Sequence, residues 1–190
     1  MNGWQPFSLM GLPVSPWRNG GGETREIISV PAGSANFDWR ASIATIAQDG
    51  PFSVFPGIDR SITLLSGEGV HFLASPDIRH SLSRVGEPYS FRGEDLVSAR
   101  LHGGVTTDFN IMTRRTACRA KVISARQTLA VLPENGGVIY VLSGDWQLPD
   151  GAQIGQGDGF YWTATLEINP VIVSTEHPDG LLLWASVITD

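Results

Sequence analysis

Period-two alternation constrains this chain more than any other feature of its sequence. Runs of β-branched, aromatic and aliphatic residues recur about every 8 to 15 residues, broken by Gly, Pro, Asp and Ser, while helical spacing of apolar positions is almost absent. Residues i, i+2 and i+4 of a strand share a face, so such segments bury an apolar side only by packing sheet on sheet or by curling into a barrel. The pattern predicts strands over 24–30, 36–46, 60–66, 70–73, 80–84, 95–102, 107–114, 119–124, 137–143, 158–162, 168–174 and 181–188. That is more than one small sheet holds, so two packed sheets or two barrels are expected.

An internal repeat favours two barrels. Ile62-Thr63-Leu64-Leu65-Ser66-Gly67-Glu68-Gly69 matches Ile139-Tyr140-Val141-Leu142-Ser143-Gly144-Asp145-Trp146. Each reads apolar strand, Ser-Gly-acid turn, next strand. A Gly-containing turn follows in each half, at 89–95 and at 155–162. This order resembles the hairpin order of a cupin jelly roll; the rival reading is one common hairpin turn met twice. The predicted fold is all-β: a bicupin of two fused jelly-roll lobes, an N-terminal one over 1–115 with the ligand pocket and a C-terminal one over 116–190, with strands exchanged across the boundary. An extra polar hairpin, 74–86, falls in the first lobe.

Composition narrows the function classes. A net charge of −6 disfavours nonspecific nucleic-acid binding, which needs a basic face. Arg outnumbers Lys twelve to one, Lys121 being the single lysine, and the planar guanidinium fork is the better carboxylate receptor. A general preference for Arg explains the bias equally well. The lone Cys118 forms no internal disulfide and reads as a small buried residue. The apolar run 181–188 is too short to span a bilayer, and the N-terminus shows no basic, then apolar, leader pattern. A cytoplasmic protein acting away from membranes is expected, with a homodimer open because sheet edges and faces often pair.

The usual metal-binding chemistries find no purchase. His71, His80, His102 and His177 are scattered, and three or four ligands must converge to hold a transition metal. No metal and no cofactor are expected. Gly20-Gly21-Gly22 lacks the Lys and spacing of a phosphate loop, and there is no Gly-x-Ser-x-Gly nucleophile elbow.

Strand alternation supplies the positive signal. In 36–46 the even positions Asp38, Arg40 and Ser42 share a face opposite Phe37, Trp39, Ala41 and Ile43. In 107–114 Asp108, Asn110, Met112 and Arg114 share one face. Arg60 enters the central strand of the first repeat. Turned inward, Arg40, Ser42, Arg60, Asp108, Asn110 and Arg114 make a cationic, hydrogen-bonding cavity for a small carboxylate; turned outward, they are ordinary surface residues of little energetic weight. Gly20 and Gly21 can present N–H groups as an anion nest beside Asn19 and Thr24, or the three glycines can simply let two strands pass closely. His102 paired with Asp108 is the candidate acid–base group.

The stretch Pro16-Trp17-Arg18-Asn19-Gly20-Gly21-Gly22-Glu23-Thr24-Arg25-Glu26 resembles the signature of the HutD/Ves family. Similar blocks follow in order: Phe37 to Ala44, Gly50 to Arg60 running into Leu64 to Gly69, and Asp108 to Arg115. The resemblance implies a bicupin associated with histidine utilisation, in the HutD branch, or with a stress response, in the Ves branch. It implies binding or governing a pathway intermediate such as urocanate or formylglutamate. Two readings stand: a metal-free cupin that binds a small carboxylate, and a cofactor-free cupin enzyme that turns one over by general acid–base chemistry.

Overall fold

The computed structural model describes residues 3–74, 76–132, 135–166, 171–174 and 179–189. The chain divides into two units, Pro13–Arg119 and Met1–Leu12 with Ala120–Asp190. The first residues therefore go with the C-terminal unit, where β1 (Gln5–Ser8) pairs with a late strand. The unit Pro13–Arg119 holds β2 (Val14–Pro16), β3 (Gly22–Val30), β4 (Trp39–Ile46), β5 (Gly50–Pro51), β6 (Ile58–Ser66), β7 (Val70–Ala74), β8 (Ile78–Leu82), β9 (Pro88–Arg92), β10 (Ser98–Leu101) and β11 (Thr106–Arg114). After it come β12 (Cys118–Ala125), β13 (Leu129–Ala130), β14 (Gly136–Ser143), β15 (Trp146–Gln147), β16 (Gln153–Ile154), β17 (Asp158–Trp162), β18 (Val171–Ser174) and β19 (Leu181–Thr189). The one helical turn among the described residues is the 3-10 turn Leu9–Gly11, and no helix there is long and apolar enough to cross a membrane.

Each unit is built of two sheets. Pro13–Arg119 has a six-stranded sheet, β2-β3-β4-β11-β6-β9, and a four-stranded one, β5-β10-β7-β8. The other unit has β1-β17-β14-β19-β12 and β13-β18-β15-β16. The orders match strand for strand: β4-β11-β6-β9 corresponds to β12-β19-β14-β17, and β5-β10-β7-β8 to β13-β18-β15-β16. The repeated turns occupy the same place, after β6 and after β14, with Gly67 and Gly144 both at positive φ (93° and 79°). Among the described residues no ladder runs continuously around either unit, so the observed form is paired sheets, where closed barrels were expected. Two-residue strands such as β5 and β13 are too short to carry a ladder onward.

The predicted strands have observed counterparts, with shifted ends. β4 begins at Trp39 and not at 36, β8 ends at Leu82 and not at 84, and positions 168–170 of one predicted strand lie outside the described residues. The segment 89–95, read as a turn, is mostly strand β9. The strands absent from the pattern are short, and four of them carry Pro: β1, β2, β5 and β9. Each of these four lies at a sheet edge, where the missing N–H breaks no ladder.

Between the two sheets of Pro13–Arg119, Ile62 and Leu64 from β6 and Phe91 from β9 pack against Val70, Phe72, Leu82 and Ala99 of the smaller sheet. The other unit is filled by aromatic residues, with Trp146 and Trp162 fully buried and Trp184 and Phe160 nearly so. Cys118 is buried, its thiol donating to the Asp38 carbonyl at 3.1 Å.

Candidate functional site

Antiparallel register assembles the site. β11 lies between β4 and β6, and it aligns Arg40, Met112 and Arg60 in one row. The next row is Ser42, Asn110 and Ile62, and the next Ala44, Asp108 and Leu64. On β3, Glu26 pairs with Ser42 and Thr24 with Ala44. Alternation sends these side chains to one face, where all of them but Leu64 and Glu26 line a cavity of about 550 Å³. Trp17, Arg18 and Asn19, between β2 and β3, wall one side; Pro51, Phe52, Ser53 and Phe55 wall another.

Arg60 is the unusual group. It is 7% exposed, and its guanidinium carbon stands 5.2 Å from the Phe52 ring centre, 5.6 Å from Phe55 and 5.1 Å from Phe91. Its Nη1 donates a long hydrogen bond to the Ser53 carbonyl at 3.5 Å, and Nε has no partner. Burial lowers its pKa to about 10, opposed by Asp108 and aided by Arg40. Burial pushes Asp108 up to about 7, opposed by Arg60. In both groups desolvation outweighs their mutual attraction. Asp108 Oδ2 and Asn110 Oδ1 are buried without partners, in a chain class where such atoms are normally satisfied. Arg40 is already engaged: its Nε donates to Glu26 Oε2 at 2.6 Å. The cavity thus offers one buried cation, one carboxyl near neutrality and one amide oxygen, a donor set suited to an anion that also carries an N–H or O–H.

Of the sequence-derived candidates, Asn19, Thr24, Arg40, Ser42, Arg60, Asp108 and Asn110 come together around this cavity. Gly20, Gly21 and Arg114 do not. The Gly20 N–H bonds the Trp17 carbonyl and the Gly21 N–H bonds Asn19 Oδ1 at 2.9 Å, so the turn closes on itself and no nest opens toward the cavity. Gly22 explains part of the glycine run: a Cβ there would collide with the Thr45 carbonyl and the Trp17 ring. Arg114 shares the parity of Asn110 but sits at the end of β11, bonded to Asn36 and the Phe37 carbonyl (2.7 Å) and paired with Asp38. The His102–Asp108 pair does not form. The His102 ring lies 3.2 Å from both Ser81 Oγ and the Glu68 carbonyl, with His71 at 4.0 Å between ring centres. Those contacts hold it beside β7 and β8, while Asp108 belongs to the other sheet. Trp17, Arg18, Phe52, Phe55 and Met112 also line the cavity and were not anticipated. Two phenylalanines three residues apart, Phe52 and Phe55, were the available signal. Among the described residues no three His, Cys, Asp or Glu side chains gather as a metal site.

Two-sheet units repeated in one chain, with a polar cavity inside one unit, define an all-β protein of cupin-like fold. The family model HutD matches residues 11–177, and the chain belongs to that family. Protein Ves of Escherichia fergusonii is 46% identical over 145 residues, covering 76% of this chain and 75% of that one. Protein Ves of Cronobacter sakazakii is 49% identical over 145 residues, covering 76% and 79%. Among solved structures, HutD from Pseudomonas fluorescens SBW25 superimposes with a TM-score of 0.84 at 24% identity, covering 98% of this chain and 99% of that one. A cupin 2 conserved barrel domain protein from Leptotrichia buccalis gives 0.59 at 13% identity over 98% and 96%. The structural likenesses speak to fold alone.

Proposed function

We propose that this protein is a bicupin whose Pro13–Arg119 unit binds a small carboxylate metabolite without a metal, in a binding or governing role in histidine utilisation. The observation that carries the reading is the buried Arg60, with Nε unsatisfied and Asn110 Oδ1 unsatisfied on the same cavity-facing surface. A carboxylate supplies the acceptor that Arg60 lacks. An N–H on the same ligand supplies the donor that Asn110 lacks. Urocanate has a carboxylate and an imidazole N–H; formylglutamate has carboxylates and a formamide N–H. Family membership supports the pathway assignment through the HutD name, and the Ves relatives keep the stress-response branch as the competing context. Ser42, Thr24 and Asn19 orient the ligand, and Trp17, Phe52 and Phe55 exclude water around it. The protein works in the cytoplasm, apart from nucleic acid and membranes, as a monomer or a homodimer.

Calorimetry with urocanate and formylglutamate tests this directly. Binding of at least one in the millimolar range or tighter, and its loss in Arg60→Ala, is the expected result. No heat from either ligand, or equal binding by Arg60→Ala, defeats it.

One observation favours a second reading, a cofactor-free enzyme. A carboxyl held near neutrality is poised for general acid–base work, and Asp108 is such a group. His102, held at Ser81 and Glu68, has no part in this version. Turnover of either compound, abolished in Asp108→Asn while binding persists, separates the enzyme from the binding module.

A further inference from the structure

We infer that the cavity takes its carboxylate together with a proton, which Asp108 holds while bonding the ligand from its buried, otherwise unpartnered Oδ2. The inference rests on the carboxylate-binding reading above and adds Asp108 as the residue that sets which protonation state binds. Asp108 is 2% exposed and shares the cavity with Arg60. An ionised Asp108, itself almost wholly buried, and an incoming carboxylate are like charges in a poorly solvated place, and such a pair shares a proton. The protonated form instead donates an O–H to the ligand oxygen, a short charge-assisted bond.

The surrounding charges leave this outcome intact. β6 contributes Arg60 and the apolar Ile62 and Leu64; β4 contributes Arg40, with Ser42 and Ala44. β3 contributes Thr24 and Glu26, and Glu26 is bonded to Arg40. At the rim stands the exposed Arg18. The Arg40–Glu26 pair is close to neutral as a unit, so Arg60 alone serves both the ligand and Asp108. One cation facing two carboxyl groups retains one proton. Burial already holds Asp108 near neutrality before ligand arrives, so only a small rise is required.

The test is calorimetry with formylglutamate, from pH 5 to pH 9, with the titration at pH 8 run both in HEPES and in Tris, whose ionisation heats differ. The inference expects uptake of close to one proton per ligand above pH 8. It expects affinity to fall about tenfold per pH unit above the Asp108 pKa and to level off below pH 6. Asp108→Asn keeps a donor at Oδ2's position and is expected to bind with a flat pH profile and no proton uptake. Binding by the unaltered protein with no proton uptake overturns the inference and leaves the binding reading standing, as does an Asp108→Asn variant that keeps the original pH slope. If that variant fails to fold, the two-buffer measurement on the unaltered protein decides alone. Absence of binding at every pH defeats both the inference and the reading beneath it.

Discussion

At the scale of single residues, Arg60 is held for something other than stability. Burial lowers its pKa to about 10 even against the pull of Asp108, a net cost of roughly 3 kcal/mol. Three aromatic rings within 5.6 Å of the guanidinium carbon return about 0.5–2 kcal/mol each, which offsets the cost without exceeding it by much. A methionine of similar length fits the same aromatic pocket with nothing to desolvate. Arg60→Met is therefore expected to be at least as stable as the unaltered protein in urea unfolding. Its carboxylate affinity is expected to fall by about 100-fold or more, as two charge-assisted hydrogen bonds disappear. Asp108 gives a pH-dependent expectation. Its pKa is about 7 in the folded protein against 3.8 for the free side chain. Below about pH 4 both folded and unfolded states hold the proton. From there to pH 7 only the unfolded state releases it, so this contribution falls with rising pH by about 1.4 kcal/mol per unit, roughly 4 kcal/mol in all. Urea unfolding of the unaltered protein and of Asp108→Asn at pH 5 and pH 8 checks the sign: the variant gains on the unaltered protein as pH rises.

At the scale of elements, what was legible followed the strands. Arg40, Ser42, Arg60, Asp108 and Asn110 were readable because β4, β6 and β11 are long and alternate, and because neighbouring ladders keep side-chain parity in step. Parity also brought in Arg114, wrongly for the cavity. Alternation fixes a face but not how far along the strand the cavity extends, and Arg114 lies beyond it, where Asn36 and Asp38 capture the guanidinium. The walls at Trp17 and at Phe52 to Phe55 come from loops, which have no period to read. His102 was drawn toward Asp108 by nearness in sequence alone. His102 follows the end of β10 and Asp108 lies on β11, strands of different sheets, and nearness in sequence across a sheet change says little about contact. The glycine run divides between the two levels. Gly20 and Gly21 form the turn, while Gly22 lies in β3 under the Trp17 ring, whose Nε1 donates to Thr24 Oγ1 at 2.8 Å. Gly22→Ala forces the ring and the β4 backbone apart. It is expected to cost about 1–3 kcal/mol and to weaken carboxylate binding through the displaced wall, readable as a lowered melting temperature together with a raised Kd.

At the scale of the whole molecule, one topology serves two different interiors. Carrying the matched strand registers across the repeat sets Gly137 where Arg60 stands, Leu182 where Asp108 stands and Trp184 where Asn110 stands. Trp162 occupies the place of Phe91, since each faces the Arg60 or Gly137 position across its ladder. There the indole takes the room that a side chain would need: any Cβ on Gly137 would run into the Trp162 ring. The polar trio is thus replaced by apolar groups, and the interior is packed with fully buried Trp146 and Trp162. Truncating such residues typically costs about 3–5 kcal/mol, so this unit contributes burial where the other spends stability on an exposed demand for a ligand. The expected stoichiometry follows: one carboxylate per chain despite two repeated units. Equilibrium dialysis with saturating formylglutamate measures it, and a second site surviving in Arg60→Met would show that the aromatic interior also admits ligand.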